Sequence, residues 1–102
     1  MPRTEIKPAP PVEYLSILDH HGEVDTGLDP GLDDDTLQRM YRVMLLARRF
    51  DARQLVLQRS GRIGTFAPVE GQEAAQVGAM AALSAADWFV PSFRESAAAL
   101  WR

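Results

Sequence analysis

The chain has no cysteine, only two histidines and a single lysine, Lys7. Without cysteine there is neither a disulfide framework nor a thiolate metal site. His20 and His21 are adjacent rather than four apart on a helix, and no third histidine joins them. That spacing does not make a helical zinc site, and both read as exposed turn residues. No apolar run approaches the roughly 20 residues that a bilayer-spanning helix needs. The opening MPRTEIKPAP lacks the apolar centre of a signal peptide. The expectation is therefore a cytoplasmic protein. No serine sits in a nucleophile elbow, and Asp33-Asp34-Asp35 lacks the spacing of a calcium loop. No glycine cluster makes a P-loop or a GxGxxG fingerprint. The helical arginines are not interleaved with aromatics, as single-strand nucleic-acid binders require.

What remains is an ordinary globular composition with an uneven charge. Hydrophobic residues make up 46% and charged residues 25% of the 102 positions, enough for one small domain. Residues 1–35 carry nine acids and two bases, whereas residues 36–102 carry five acids and nine arginines. The second part thus offers a basic surface, for anions or for the acidic first part, unless the charge is simply solvated.

Seven segments follow from the pattern. Residues 1–12 are proline-rich and read as an extended arm. Residues 13–24 read as a short hairpin turning at His20-His21-Gly22. Residues 26–35 are an acidic, turn-rich linker. From Asp34 or Asp35, which serve as N-terminal caps, a long helix runs to about Arg59 and stops at Gly61. Leu37, Met40, Tyr41, Met44, Leu45 and Ala47 line one apolar stripe of this helix. Val43, Leu46, Phe50 and Leu57 widen it, which predicts burial on more than one side. A second helix, rich in small residues, spans about residues 70–83. Trp88-Phe89-Val90 reads as a buried core strand bounded by Asp87 and Pro91. A third helix starts near Ser92.

Three places carry potential chemistry. Phe93-Arg94 follows the predicted strand, at the edge where ligands bind in open α/β sheets. An arginine there can grip phosphate oxygens two at a time. Spacing alone favours an ordinary surface pair between Arg94 and Glu95 or Asp87 beside a core phenylalanine. The basic turn over residues 59–64 offers backbone N–H groups and Arg59 and Arg62, or simply ends a helix. Gln72 and Glu73 open the second helix, where they can reach a ligand or cap their own helix.

Four stretches, in order, resemble a known family. They are residues 41–51 (YRVMLLARRFD), 57–64 (LQRSGRIG), 67–74 (APVEGQEA) and 87–95 (DWFVPSFRE). Together they look like the start of the alpha subunit of thiamine diphosphate-dependent 2-oxo acid dehydrogenases. This is the decarboxylating component of the pyruvate and branched-chain 2-oxo acid dehydrogenase complexes. The likeness covers roughly residues 13–102 and implies an α/β thiamine diphosphate-binding fold in the complete protein. This chain is then mainly α-helical with a short N-terminal hairpin and one core strand. Residues 1–34 form an arm with the hairpin and linker, and residues 35–102 an incomplete N-terminal part of the cofactor-binding domain.

The resemblance also implies roles. Arg94 and Phe93 match the pair that contacts the cofactor diphosphate. Phe93 stands where the family usually has tyrosine, so it packs without a hydroxyl. Phe66 and Gln72 match substrate-channel positions. Ala67 stands where some members carry a substrate histidine, so no substrate role passes to it. The magnesium ligands are expected beyond residue 102, and the glutamate that activates the cofactor belongs to the beta subunit. No catalytic or metal-binding residue is therefore expected in this chain, and alone it should be inactive. The implied partners are a beta subunit in an alpha2-beta2 heterotetramer, a lipoyl acyltransferase and a small 2-oxo acid. The rival reading, drawn from the wide apolar helix face, is a non-catalytic helical interaction module.

Overall fold

The computed structural model describes residues 11–102. The proline-rich arm expected over residues 1–12 lies outside the described residues, apart from Pro11 and Val12. The chain divides after Gly31 into two compact units.

In the first unit the expected hairpin is reduced to one antiparallel bridge between Leu18 and Val24. Its turn falls where His20-His21-Gly22 placed it. Gly22 has φ +84°, a conformation that glycine adopts without a Cβ clash. One carboxylate closes the turn, because Asp19 Oδ1 accepts from the backbone N–H groups of His21 (2.8 Å) and Glu23 (2.9 Å). Such local side-chain bonds replace the longer ladder that an isolated hairpin cannot sustain in water.

The second unit consists of three helices: α1 (Asp34–Arg59), α2 (Glu73–Ala81) and α3 (Ser96–Trp101). Asp33 caps α1, one residue before the expected cap. Its carboxylate accepts from the Thr36 N–H at 2.8 Å and the Thr36 hydroxyl at 2.9 Å. That is the reach from an N-cap to the third helical residue. The hydrogen bond from the Thr36 backbone holds the Asp33 carboxyl below the usual range. Asp34 and Asp35 lie in the first turn, where they favour the positive helix end.

α1 ends in a Schellman motif. Arg62 N–H bonds Leu57 O at 2.9 Å and Gly61 N–H bonds Gln58 O at 2.9 Å. This geometry needs a left-handed residue after Ser60, and Gly61 supplies it with φ +70°. A Cβ there would meet no atom within 4 Å, so only backbone strain opposes a side chain. Gly61→Ala is therefore expected to destabilise the protein by about 1 kcal/mol. Urea unfolding of the two proteins checks this, and equal midpoints would mean that the turn relaxes freely.

α2 is shorter than expected at both ends. The segment before it makes a turn closed by Gln72 N–H to Val69 O (2.9 Å), with Gly71 at φ +87°. A glycine at that third turn position suits a type II turn, which delays the helix until Glu73. At the other end Ser84 N–H turns to the Asp87 carboxylate (2.6 Å), and the chain leaves the helical path. α3 starts four residues later than expected, because Glu95 Oε2 accepts from the N–H groups of Ser92 (2.8 Å) and Arg94 (3.1 Å) in a separate turn.

The predicted core strand at Trp88-Phe89-Val90 is not formed, and there is no strand among the described residues. Trp88 is 91% and Val90 85% exposed, and only Phe89 is half-buried. A strand needs a neighbouring strand for its backbone groups, and none is present here.

The three helices pack on one another around Ala47, Val69, Val77 and Ala97. These residues are small, so the backbones approach closely. Met40, Val43, Met44 and Trp101 close the periphery. Arg39 covers the Trp101 ring at 4.0 Å and donates to its carbonyl at 3.1 Å. The burial expected on several sides of α1 is realised on one side only. Tyr41, Leu45, Leu46 and Phe50 are exposed. No helix among the described residues is long and apolar enough to cross a membrane.

Candidate functional site

The site is built outward from the inner face of α1. Asp51 lies one helical turn beyond the fully buried Ala47 and is itself only 4% exposed. Its Oδ1 accepts from Val69 N–H at 2.8 Å, so α1 fixes the backbone of the segment leading into α2. The preceding carbonyl, Pro68 O, accepts from Arg94 Nη1 at 2.7 Å. This bond takes one guanidinium N–H, and among the described residues the other donors of the fork have no partner. Arg94 also lies over the Phe93 ring, 5.6 Å from its centroid. Neither Glu95 nor Asp87, the partners that spacing alone allowed, takes an ion pair with it.

Phe66, Phe93 and Arg94 line one cavity of about 540 Å³, together with Gln54, Thr65 and Ser96. That volume lies within the range of small-molecule sites. Two aromatic walls, one free cation fork and three neutral polar side chains suit a ligand that joins an apolar body to an anionic end. Ser96 Oγ is buried and has no hydrogen-bond partner among the described residues. A buried hydroxyl without a partner is uncommon, and here it belongs to a cavity-lining residue.

Gln72 lies outside this cavity. It is exposed at the start of α2, with its Oε1 3.4 Å from Gln76 Nε2. Glu73, the other residue considered there, is buried and serves the backbone. Oε2 accepts from Gly71 N–H at 2.8 Å, and Oε1 accepts from Arg48 Nε. The hydrogen bond from Arg48 lowers the Glu73 carboxyl to about 2, and the bond from Gly71 adds to it. Glu73 thus fastens the start of α2 to α1. Arg59 and Arg62 flank the helix stop, and Arg62 lines a separate shallow cavity with Arg53 and Val56. The exposed His20 and His21 rings lie 3.8 Å apart, tilted by 42°, in the hairpin turn. Among the described residues no group of three or more histidines and carboxylates could hold a metal ion.

The profile of the dehydrogenase E1 component family matches residues 41–102. The chain belongs to the dehydrogenase E1 component family. Its similarity to curated relatives is of the same kind. It is 40% identical over 90 residues to the pyruvate dehydrogenase E1 component subunit alpha of Bacillus cereus, covering 87% of this chain and 24% of that protein. The subunit alpha of Acholeplasma laidlawii is 42% identical over 85 residues, covering 82% and 25%. That of a Staphylococcus aureus strain is 37% identical over 90 residues, covering 87% and 24%. The chain thus spans about a quarter of the length of the curated relatives it matches. No solved structure matches it.

Every residue lining the 540 Å³ cavity falls within the part matched to the E1 component. Three of them, Gln54, Thr65 and Ser96, were not singled out from the sequence. For Gln54 a signal existed, because it follows Ala47 and Asp51 along the inner side of α1. Asp51 was legible in the same way, as an acid on an otherwise apolar stripe. Ser96 carried no such signal.

Proposed function

We propose that this chain forms one wall of the cofactor pocket in a thiamine diphosphate-dependent 2-oxo acid dehydrogenase. The enzyme is of the pyruvate type and cytoplasmic, and the chain belongs to its alpha subunit. The observation that supports this most is that Phe66, Phe93 and Arg94 line a single cavity in a chain of the E1 component family. Family membership favours this enzyme reading over a non-catalytic interaction module.

The residues suit the diphosphate end of the cofactor. Arg94 offers a planar donor fork, already oriented through Pro68 O. Ser96 lines the same cavity, with its hydroxyl buried behind the wall. Phe93 and Phe66 give the cavity two apolar walls beside the arginine. When bound, thiamine diphosphate supplies the electron sink for decarboxylation. This chain's part is to bind and orient the cofactor. The described residues hold no group of three or more histidines and carboxylates that fits a magnesium ion. The substrate is a 2-oxo acid, and the acyl group passes to the lipoyl carrier of an acyltransferase partner. A beta subunit completes the pocket in an alpha2-beta2 assembly. Gln72 retains a substrate-channel role only if it turns away from Gln76.

The test is release of carbon dioxide from pyruvate by the assembled enzyme carrying this chain, with and without thiamine diphosphate. Release that requires the cofactor is expected. Release at an equal rate without it, or none in its presence, would refute the proposal.

A further inference from the structure

Arg94 is held through its backbone as well as its side chain, and one residue supplies that second hold. Gln76, half-buried on α2, donates from Nε2 to Arg94 O at 2.9 Å. The same carboxamide accepts, at Oε1, from Ala98 N–H at 3.3 Å. Ala98 is the third residue of α3, whose first N–H groups have no partner within the helix. Glu95, in the capping position, makes no side-chain cap and instead bonds Ser92 and Arg94 N–H. Gln76 therefore caps α3 from a neighbouring helix while tethering the carbonyl of Arg94. Among side chains, a carboxamide is suited to donate and accept at once in this way.

We propose that Gln76 is a positioning residue for Arg94, setting the backbone from which the guanidinium reaches between Pro68 O and the cavity. The inference rests on the reading of Arg94 as the diphosphate grip. Two fixed points then define the arginine. Asp51 sets the acceptor side through Val69 and Pro68, and Gln76 sets the donor side. Losing one point leaves the charge present but less well aimed, and small misplacements of a binding group are costly.

The experiment is a double-mutant cycle on the assembled enzyme, read as the dissociation constant for thiamine diphosphate by calorimetry. Gln76→Met, similar in shape but unable to donate, is expected to weaken binding about tenfold. In an Arg94→Ala background the same change should have no further effect, since it acts only through Arg94. Gln76→Glu keeps the acceptor for Ala98 N–H and loses the donor to Arg94 O. It serves as the second variant if Gln76→Met does not fold, and its effect should likewise shrink in the Arg94→Ala background. Equal affinity of Gln76→Met and the unsubstituted enzyme overturns the inference. So does an effect of equal size in both backgrounds, which marks a merely structural role. An unsubstituted enzyme that does not bind thiamine diphosphate overturns the underlying reading of Arg94 instead.

Discussion

Lowering the pH from 6 to 2 is expected to remove about 2 kcal/mol of stability through Glu73 alone. The Glu73 carboxyl titrates at about 2 in the folded chain, against 4.5 in the unfolded one. Its folded value is depressed, so the unfolded state binds the proton first. The stabilisation is fully present above about pH 5 and drains away as the pH falls toward 2. The shift taken alone would give about 3 kcal/mol. Arg48, however, is half exposed, and water screens its share, which reduces the figure to about 2. The structural consequence follows from what Glu73 joins. Protonation weakens the bond from Arg48 on α1 and the bond from Gly71 N–H, so α2 loosens at its first turn. Urea unfolding at a series of pH values measures this. Glu73→Gln should be less stable near pH 6, and the two curves should converge toward pH 2. Parallel curves over that range would show that the pair contributes nothing to folding.

Much of this architecture was legible wherever the determinant is local. The start of α1 was legible to within one residue from the acidic run, although Asp33 and not Asp34 or Asp35 is the cap. Its end needed only Gly61, the one residue type that takes φ +70° there without strain. The turn at Gly22 followed from the same reasoning. The failures share a different origin. Trp88-Phe89-Val90 has the composition of a buried strand, but what a strand packs against is set by residues far away in the chain. Among the described residues nothing covers Trp88 or Val90. The apolar arc of α1 misled in the same sense, because periodicity reports which faces can be buried and not which ones are. In the site, Arg94, Phe93 and Phe66 were reached through resemblance. The hydrogen-bond relay that aims Arg94 was not, since Asp51 meets Val69 and Gln76 meets Arg94 across 18 residues each. Gln72 was chosen by its place at a helix start, a place that the type II turn directs away from the cavity.

Arg94→Ala is expected to cost thiamine diphosphate binding about 1.5–3 kcal/mol, the range for a hydrogen bond to a charged group. That corresponds to roughly a 10- to 150-fold rise in the dissociation constant. Little of the loss should come from unfolding. Phe93 beside it is 74% exposed, and removing the guanidinium orphans only Pro68 O, on an exposed residue. Arg94→Lys should fall in between, because it keeps the charge and loses the planar fork. Calorimetric titration of thiamine diphosphate into the assembled enzyme, unsubstituted and with Arg94→Ala, is the most direct test of the cofactor pocket. A dissociation constant raised at least tenfold, with an unchanged melting temperature, is the expected result. An unchanged dissociation constant would contradict the assignment of this cavity to the cofactor.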